Sequence, residues 1–60
     1  MQTKIEDLKV GELFTIGNSW RDSTLVFTGK TNLIGEYQAT AYNDKSIDVY
    51  LPAGTTVYRA

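Results

Sequence analysis

Glu36, Asp44 and Asp48 are the side chains of this 60-residue chain whose type and spacing come nearest to catalytic chemistry. A carboxylate pair such as Asp44 with Asp48 or Glu36 does acid–base work only where burial raises one partner's pKa. These three fall on a turn and on exposed strand positions, so they read as solvated. The chain has no histidine and no cysteine, which closes Ser-His-Asp and Cys-His nucleophilic routes and removes the usual ligands of structural zinc. Asn43-Asp44-Lys45 lacks the acidic spacing of a calcium loop and carries a cation in its middle. The five glycines are scattered singly, so no phosphate-cradling loop is present. The expectation is a protein with no catalytic residue, no cofactor and no metal.

Binding remains, and its candidates are aromatic. Trp20 stands beside Arg21 and Asp22 in a turn-rich stretch, and tryptophan and arginine dominate interface hot spots. Two readings stay open: Trp20 anchors a partner, or it folds back to plug one end of a small core. Tyr42 and Tyr50 have the parity of a polar strand face and read as near or diagonal neighbours across a turn. There they either contact a peptide or a base, or shield the sheet as a cross-strand pair. Tyr58 reads as structural, and Lys30, Lys45 and Arg59 as solvated.

The elements that must position these residues centre on one hairpin. Tyr37, Ala39 and Ala41 alternate with Glu36, Gln38, Thr40 and Tyr42; past Asn43, Asp44 and Lys45, Ile47, Val49 and Leu51 alternate with Ser46, Asp48 and Tyr50. That period of two predicts a hairpin with its odd-numbered hydrophobes buried, because a one-residue slip would put them all in water. The small alanines let another layer approach closely, as a strongly curved sheet requires.

The rest of the chain supplies shorter elements. Ile5 and Leu8, three apart within Lys4 to Lys9, predict a single helical or 3₁₀ turn. Gly11 ends it, and Leu13 to Ile16 reads as a strand with Phe14 and Ile16 inward and Leu8 and Val10 closing one end of the core. The opposite parity, Leu13 inward, stays open. Gly17 to Ser19 reads as a turn, Thr24 to Thr28 as a strand with Leu25 and Phe27 on one face, and Gly29 to Asn32 as another turn before a bend at Gly35. Pro52, Ala53 and Gly54 suit positions i+1 to i+3 of a tight turn, and Thr55 to Arg59 a last strand with Val57 inward. The sum is an all-β fold of five short antiparallel strands with one N-terminal helical turn.

Composition bounds the partners. Six basic and seven acidic residues, without a run of either sign, give a net charge of −1, so the basic stripe of a duplex-DNA binder is missing. Residues 1–6 have neither the basic start nor the apolar stretch of a signal peptide, and no apolar segment nears the ~20 residues that span a bilayer. The expected setting is the cytoplasm, with no membrane partner. Residues 1–60 read as one domain. With no cysteine to staple so small a core, the expected state is a monomer or weak homodimer.

The chain also carries Leu8, Gly11 and Phe14 in a "Leu-x-x-Gly-x-x-Phe" segment and a "Val-Tyr-Arg" segment at Val57, Tyr58 and Arg59. In these segments and in its order of strands it resembles small SH3-like β-barrel proteins, chiefly uncharacterised accessory proteins of bacteriophages and bacteria. The resemblance implies a five-stranded SH3-like barrel and no active site. Together the readings give a non-catalytic protein-interaction module that docks through Trp20, Arg21, Asp22, Tyr42 and Tyr50; the resemblance adds a phage-type accessory or inhibitor role. Single-stranded nucleic acid or nucleotide binding ranks second, because the acidic pI near 5.0 opposes it. Self-assembly through an open strand edge ranks third.

Overall fold

A computed structural model describes residues 2–17 and 24–60. These residues form six strands: β1 (Gln2–Lys4), β2 (Leu13–Thr15), β3 (Leu25–Thr31), β4 (Tyr37–Ala41), β5 (Asp48–Leu51) and β6 (Thr56–Arg59), with a 3₁₀ turn at Ile5–Asp7. They form one antiparallel sheet in the order β1-β6-β2-β3-β4-β5. The all-β, antiparallel expectation holds, and so does the N-terminal helical turn. Among the described residues the strand count is six, and β1 and β5 are unpaired edges, so the sheet is not closed.

Among the described residues no second layer covers the sheet, yet Ile5, Phe14, Ala39 and Val57 are fully buried and Leu8, Leu25 and Phe27 nearly so. The sheet must therefore curl around its own apolar face, as the right-handed twist of strands allows. Tyr37, Ala41, Val49 and Leu51 pack against the edge of that core, and the Tyr37 ring tilts against Phe27 at 6.0 Å between centroids. The 3₁₀ turn caps it: Leu8 N–H donates to Ile5 O at 3.2 Å, and three residues per turn bring both apolar side chains to one side.

The quoted Leu-Gly-Phe segment is structural. Gly11 N–H donates to Phe27 O while Glu12 O accepts from Phe27 N–H, so two residues face one in a bulge. Gly11 has a φ of 89°, open to glycine at no steric cost. The bulge resets the chain so that Leu8 and Phe14 both enter the core.

Several expected positions are corrected. Ile16 has the parity of Phe14 but is exposed, because β2 ends at Thr15, whose hydroxyl donates to Gly17 O at 2.6 Å and turns the chain. Val10 is exposed on the bulge and lies over Gly29, where an added Cβ would stand 2.7 Å from its Cγ2. Ile47 is exposed because β5 begins one residue later, past the end of the core. Gly29, Lys30 and Thr31 belong to β3, since a register shift between Phe27 and Thr31 absorbs the extra residues. The tight turn closes from Thr55 N–H to Pro52 O, making Pro52 its first residue.

Candidate binding surface

The carboxylates that opened the question of catalysis are each engaged locally. Asp48 accepts from Thr40 Oγ1, Asp44 Oδ1 from the Ser46 N–H and hydroxyl, and Glu36 Oε1 from Asn32 Nδ2. Those Ser46 bonds hold the Asp44 carboxyl below the usual carboxylate range. Among the described residues no cluster of acids could hold a metal ion.

The outer face of β3, β4 and β5 carries the polar parity. Thr28 Oγ1 bonds the Gln38 carbonyl and side chain at 3.0 Å, Val26 pairs with Thr40, and Thr40 with Asp48. Tyr50 pairs with Gln38, while Tyr42 lies two residues past Thr40 with its N–H on Thr24 O. Both rings are exposed, 57% at Tyr42 and 47% at Tyr50. Four residues of strand separate their positions, about 13 Å at ~3.3 Å per residue. The two tyrosines share a face but are not neighbours, which corrects the cross-strand pair. A depression of about 270 Å³ lined by Val26, Thr28, Thr40, Ala41 and Lys45 occupies the same region. Trp20, Arg21 and Asp22 lie outside the described residues.

Arg59 departs from the solvated reading. It pairs with Phe14 in the β2–β6 ladder, and its Nε meets Glu12 Oε2 at 2.6 Å while Nη2 donates to Asp7 O. Glu12 also accepts the Lys9 N–H, and that bond, ahead of Arg59, lowers its pKa. The cation is used to tie the last strand to the bulge. A depression of about 480 Å³ beside it, lined by Lys9, Val10, Gly11, Glu12 and Arg59, has its charges already satisfied in part by one another.

Sequence reading missed the most exposed apolar group among the described residues. Leu33 and Ile34 sit at the tip of the β3–β4 hairpin with 105% and 78% exposure. The turn that holds them is dense in hydrogen bonds. Asn32 Oδ1 accepts the Ile34 and Glu36 N–H groups, Asn32 Nδ2 donates to Glu36 Oε1, Asn32 N–H donates to Glu36 O, and Gly35 N–H donates to Asn32 O. Gly35 supplies the φ of 83° that a branched residue would resist. The signal was two apolar residues inside an Asn-x-x-Gly turn, where polar residues are usual. Tyr50, opposite Gln38, lies toward this end of the sheet, and Tyr42 toward the other. No protein family matches the chain, and neither a curated protein nor a solved structure does.

Proposed function

We propose that the chain is a non-catalytic protein-interaction module that inserts the Leu33–Ile34 tip, with Tyr50 behind it, into an apolar pocket of a protein partner. The observation that carries this reading is the tip itself. Two large aliphatic side chains are held in water by a turn with five hydrogen bonds, and apolar area in water is unfavourable by about 25 cal/mol per Å² until something covers it. A preformed turn also spares the partner the cost of ordering it. The local engagement of Glu36, Asp44 and Asp48 supports the absence of catalysis in this reading. The sheet order, with β6 returning beside β2, supports the small-barrel likeness; an accessory role comes from that likeness alone.

The test is the double variant Leu33→Ser/Ile34→Ser. Its denaturation midpoint should stay near the wild-type value, because both side chains already face water, while capture of a protein partner is lost. Undiminished capture by a folded double variant removes the tip from the interface.

The exposed rings of Tyr42 and Tyr50 favour a second reading, stacking of single-stranded bases at about 1 to 3 kcal/mol each. Titration of Trp20 fluorescence with short oligonucleotides at low salt separates the two. A salt-sensitive signal lost in Tyr42→Ala and Tyr50→Ala supports base stacking; no signal dismisses it.

A further inference from the structure

The sheet ends on two edges whose unpaired backbone groups can be assigned residue by residue. Ala41 N–H donates to Ile47 O, and antiparallel pairs alternate between bonded and unbonded. Val49 and Leu51 therefore turn their N–H and C=O groups toward β4, leaving those of Asp48 and Tyr50 pointing away from the sheet. On the other edge Ile5 N–H donates to Thr55 O, so Thr3 faces β6 while Gln2 and Lys4 point outward. Among the described residues none of these four groups has a backbone partner from another element.

We propose that β1 of one copy pairs antiparallel with β5 of the next, so that the chain assembles head to tail into a ring or filament with a continuous sheet. The register that matches outward-pointing groups sets Lys4 opposite Asp48 of the neighbouring copy, Thr3 opposite its Val49 and Gln2 opposite its Tyr50. Four backbone hydrogen bonds form, two at the Lys4 pair and two at the Gln2 pair. The side chains agree with that phase. Lys4 and Asp48 are both exposed and both lie on the outer face, so an opposite-charge pair forms directly across the new ladder. Pairing like edges does worse: β1 against itself sets Lys4 against another Lys4 or against Gln2, and β5 against itself sets Asp48 against another Asp48 or against Tyr50. Only the unlike pairing joins opposite charges, and an unlike pairing is heterologous. Strand directions permit it, since six alternating strands leave β1 and β5 antiparallel. Pro52 limits the contact to the four residues of β5, which makes each link weak and the assembly concentration-dependent.

The experiment is sedimentation velocity of the intact chain from micromolar to millimolar concentration, on wild type, Lys4→Glu, Asp48→Lys and an equimolar mixture of the two variants, each checked for folding by circular dichroism. Wild type should grow beyond dimer with concentration, and each single variant should weaken association by about 2- to 30-fold. The mixture should recover it, because each variant then meets an edge of opposite charge. Lys4→Gln, a milder change, covers the case in which Lys4→Glu unfolds, and should associate more weakly than wild type. A wild type that stays monomeric at millimolar concentration overturns the proposal and leaves Lys4 and Asp48 as charges that guard the edges. Association unchanged in the Lys4 variants, or a mixture that stays monomeric, overturns it equally. Neither variant touches Leu33 or Ile34, so this result and the test of the tip are independent.

Discussion

The two hairpin turns of the β3-β4-β5 ribbon use one local device to opposite ends. At β3–β4, Asn32 Oδ1 accepts the Ile34 and Glu36 N–H groups; at β4–β5, Asp44 Oδ1 accepts the Ser46 N–H and hydroxyl. Both are side chains that mimic a backbone turn. The first displays Leu33 and Ile34, whereas the second displays Asn43, Asp44, Lys45 and Ser46, with exposed Ile47 at its far end. Turn chemistry therefore does not dictate what a turn presents. A polar tip is what solvent selects by default; an apolar one on a well-made turn asks for another explanation, and the proposed partner would supply it.

The comparison breaks first at Asn32. Asn32→Ala removes three side-chain hydrogen bonds from a half-buried position, and the expected loss is about 1 to 2 kcal/mol. For a domain of this size that lowers the melting midpoint by roughly 4 to 16 °C. Thermal denaturation checks it. A midpoint unchanged from wild type would mean that the side-chain bonds do not hold the tip, and the argument from its rigidity would fail. Asp44→Ala should have the smaller effect, since every bond it removes is exposed. If Asp44→Ala proved the more destabilising of the two, the ranking of the turns would be reversed.

How much of this was legible depended on whether burial or pairing decided a residue's place. Ala39, Val49 and Leu51 follow from alternation because a buried face enforces parity, and Leu25, Phe27 and Val57 follow for the same reason. β1 did not announce itself, because Gln2, Thr3 and Lys4 have no apolar alternation; they are a strand only through β6. The extension of β3 through Gly29 was hidden by its bulge, which local turn propensity reads as a turn. Ile16, Val10 and Ile47 misled by parity, since parity says which way a side chain points only while the ladder continues. In the candidate site, the exposure of Tyr42 and Tyr50 was legible, but their expected placement as near or diagonal neighbours was wrong. A turn at residues 43–45 already sets Tyr42 opposite Ser46 and Tyr50 opposite Gln38, so sharing a face never implied touching.

Acid separates the turns most finely at the atoms that accept the backbone N–H groups. The Asp44 carboxylate that takes the Ser46 N–H titrates and the Asn32 carboxamide oxygen that takes the Ile34 N–H does not, although Glu36 also accepts from Asn32 Nδ2. The Ser46 hydroxyl and N–H stabilise the Asp44 carboxylate and hold its pKa below the ordinary value. A carboxyl depressed in the folded state favours folding while ionised. Its contribution is therefore complete above the unfolded-chain value, near 4, and is lost as pH falls through the lower folded value. Glu6, held down chiefly by the Gly54 N–H, and Glu12, held down chiefly by the Lys9 N–H, act with the same sign. Stability should thus decline as pH drops below about 4, with Asp44→Asn removing part of that slope. Within the folded protein, the Ser46 amide resonance should titrate with Asp44 while the Ile34 amide resonance stays nearly fixed. An Ile34 resonance that moved as far as that of Ser46 would show that acid loosens both turns alike, and that the apolar tip depends on carboxylates beyond the Asn32 carboxamide.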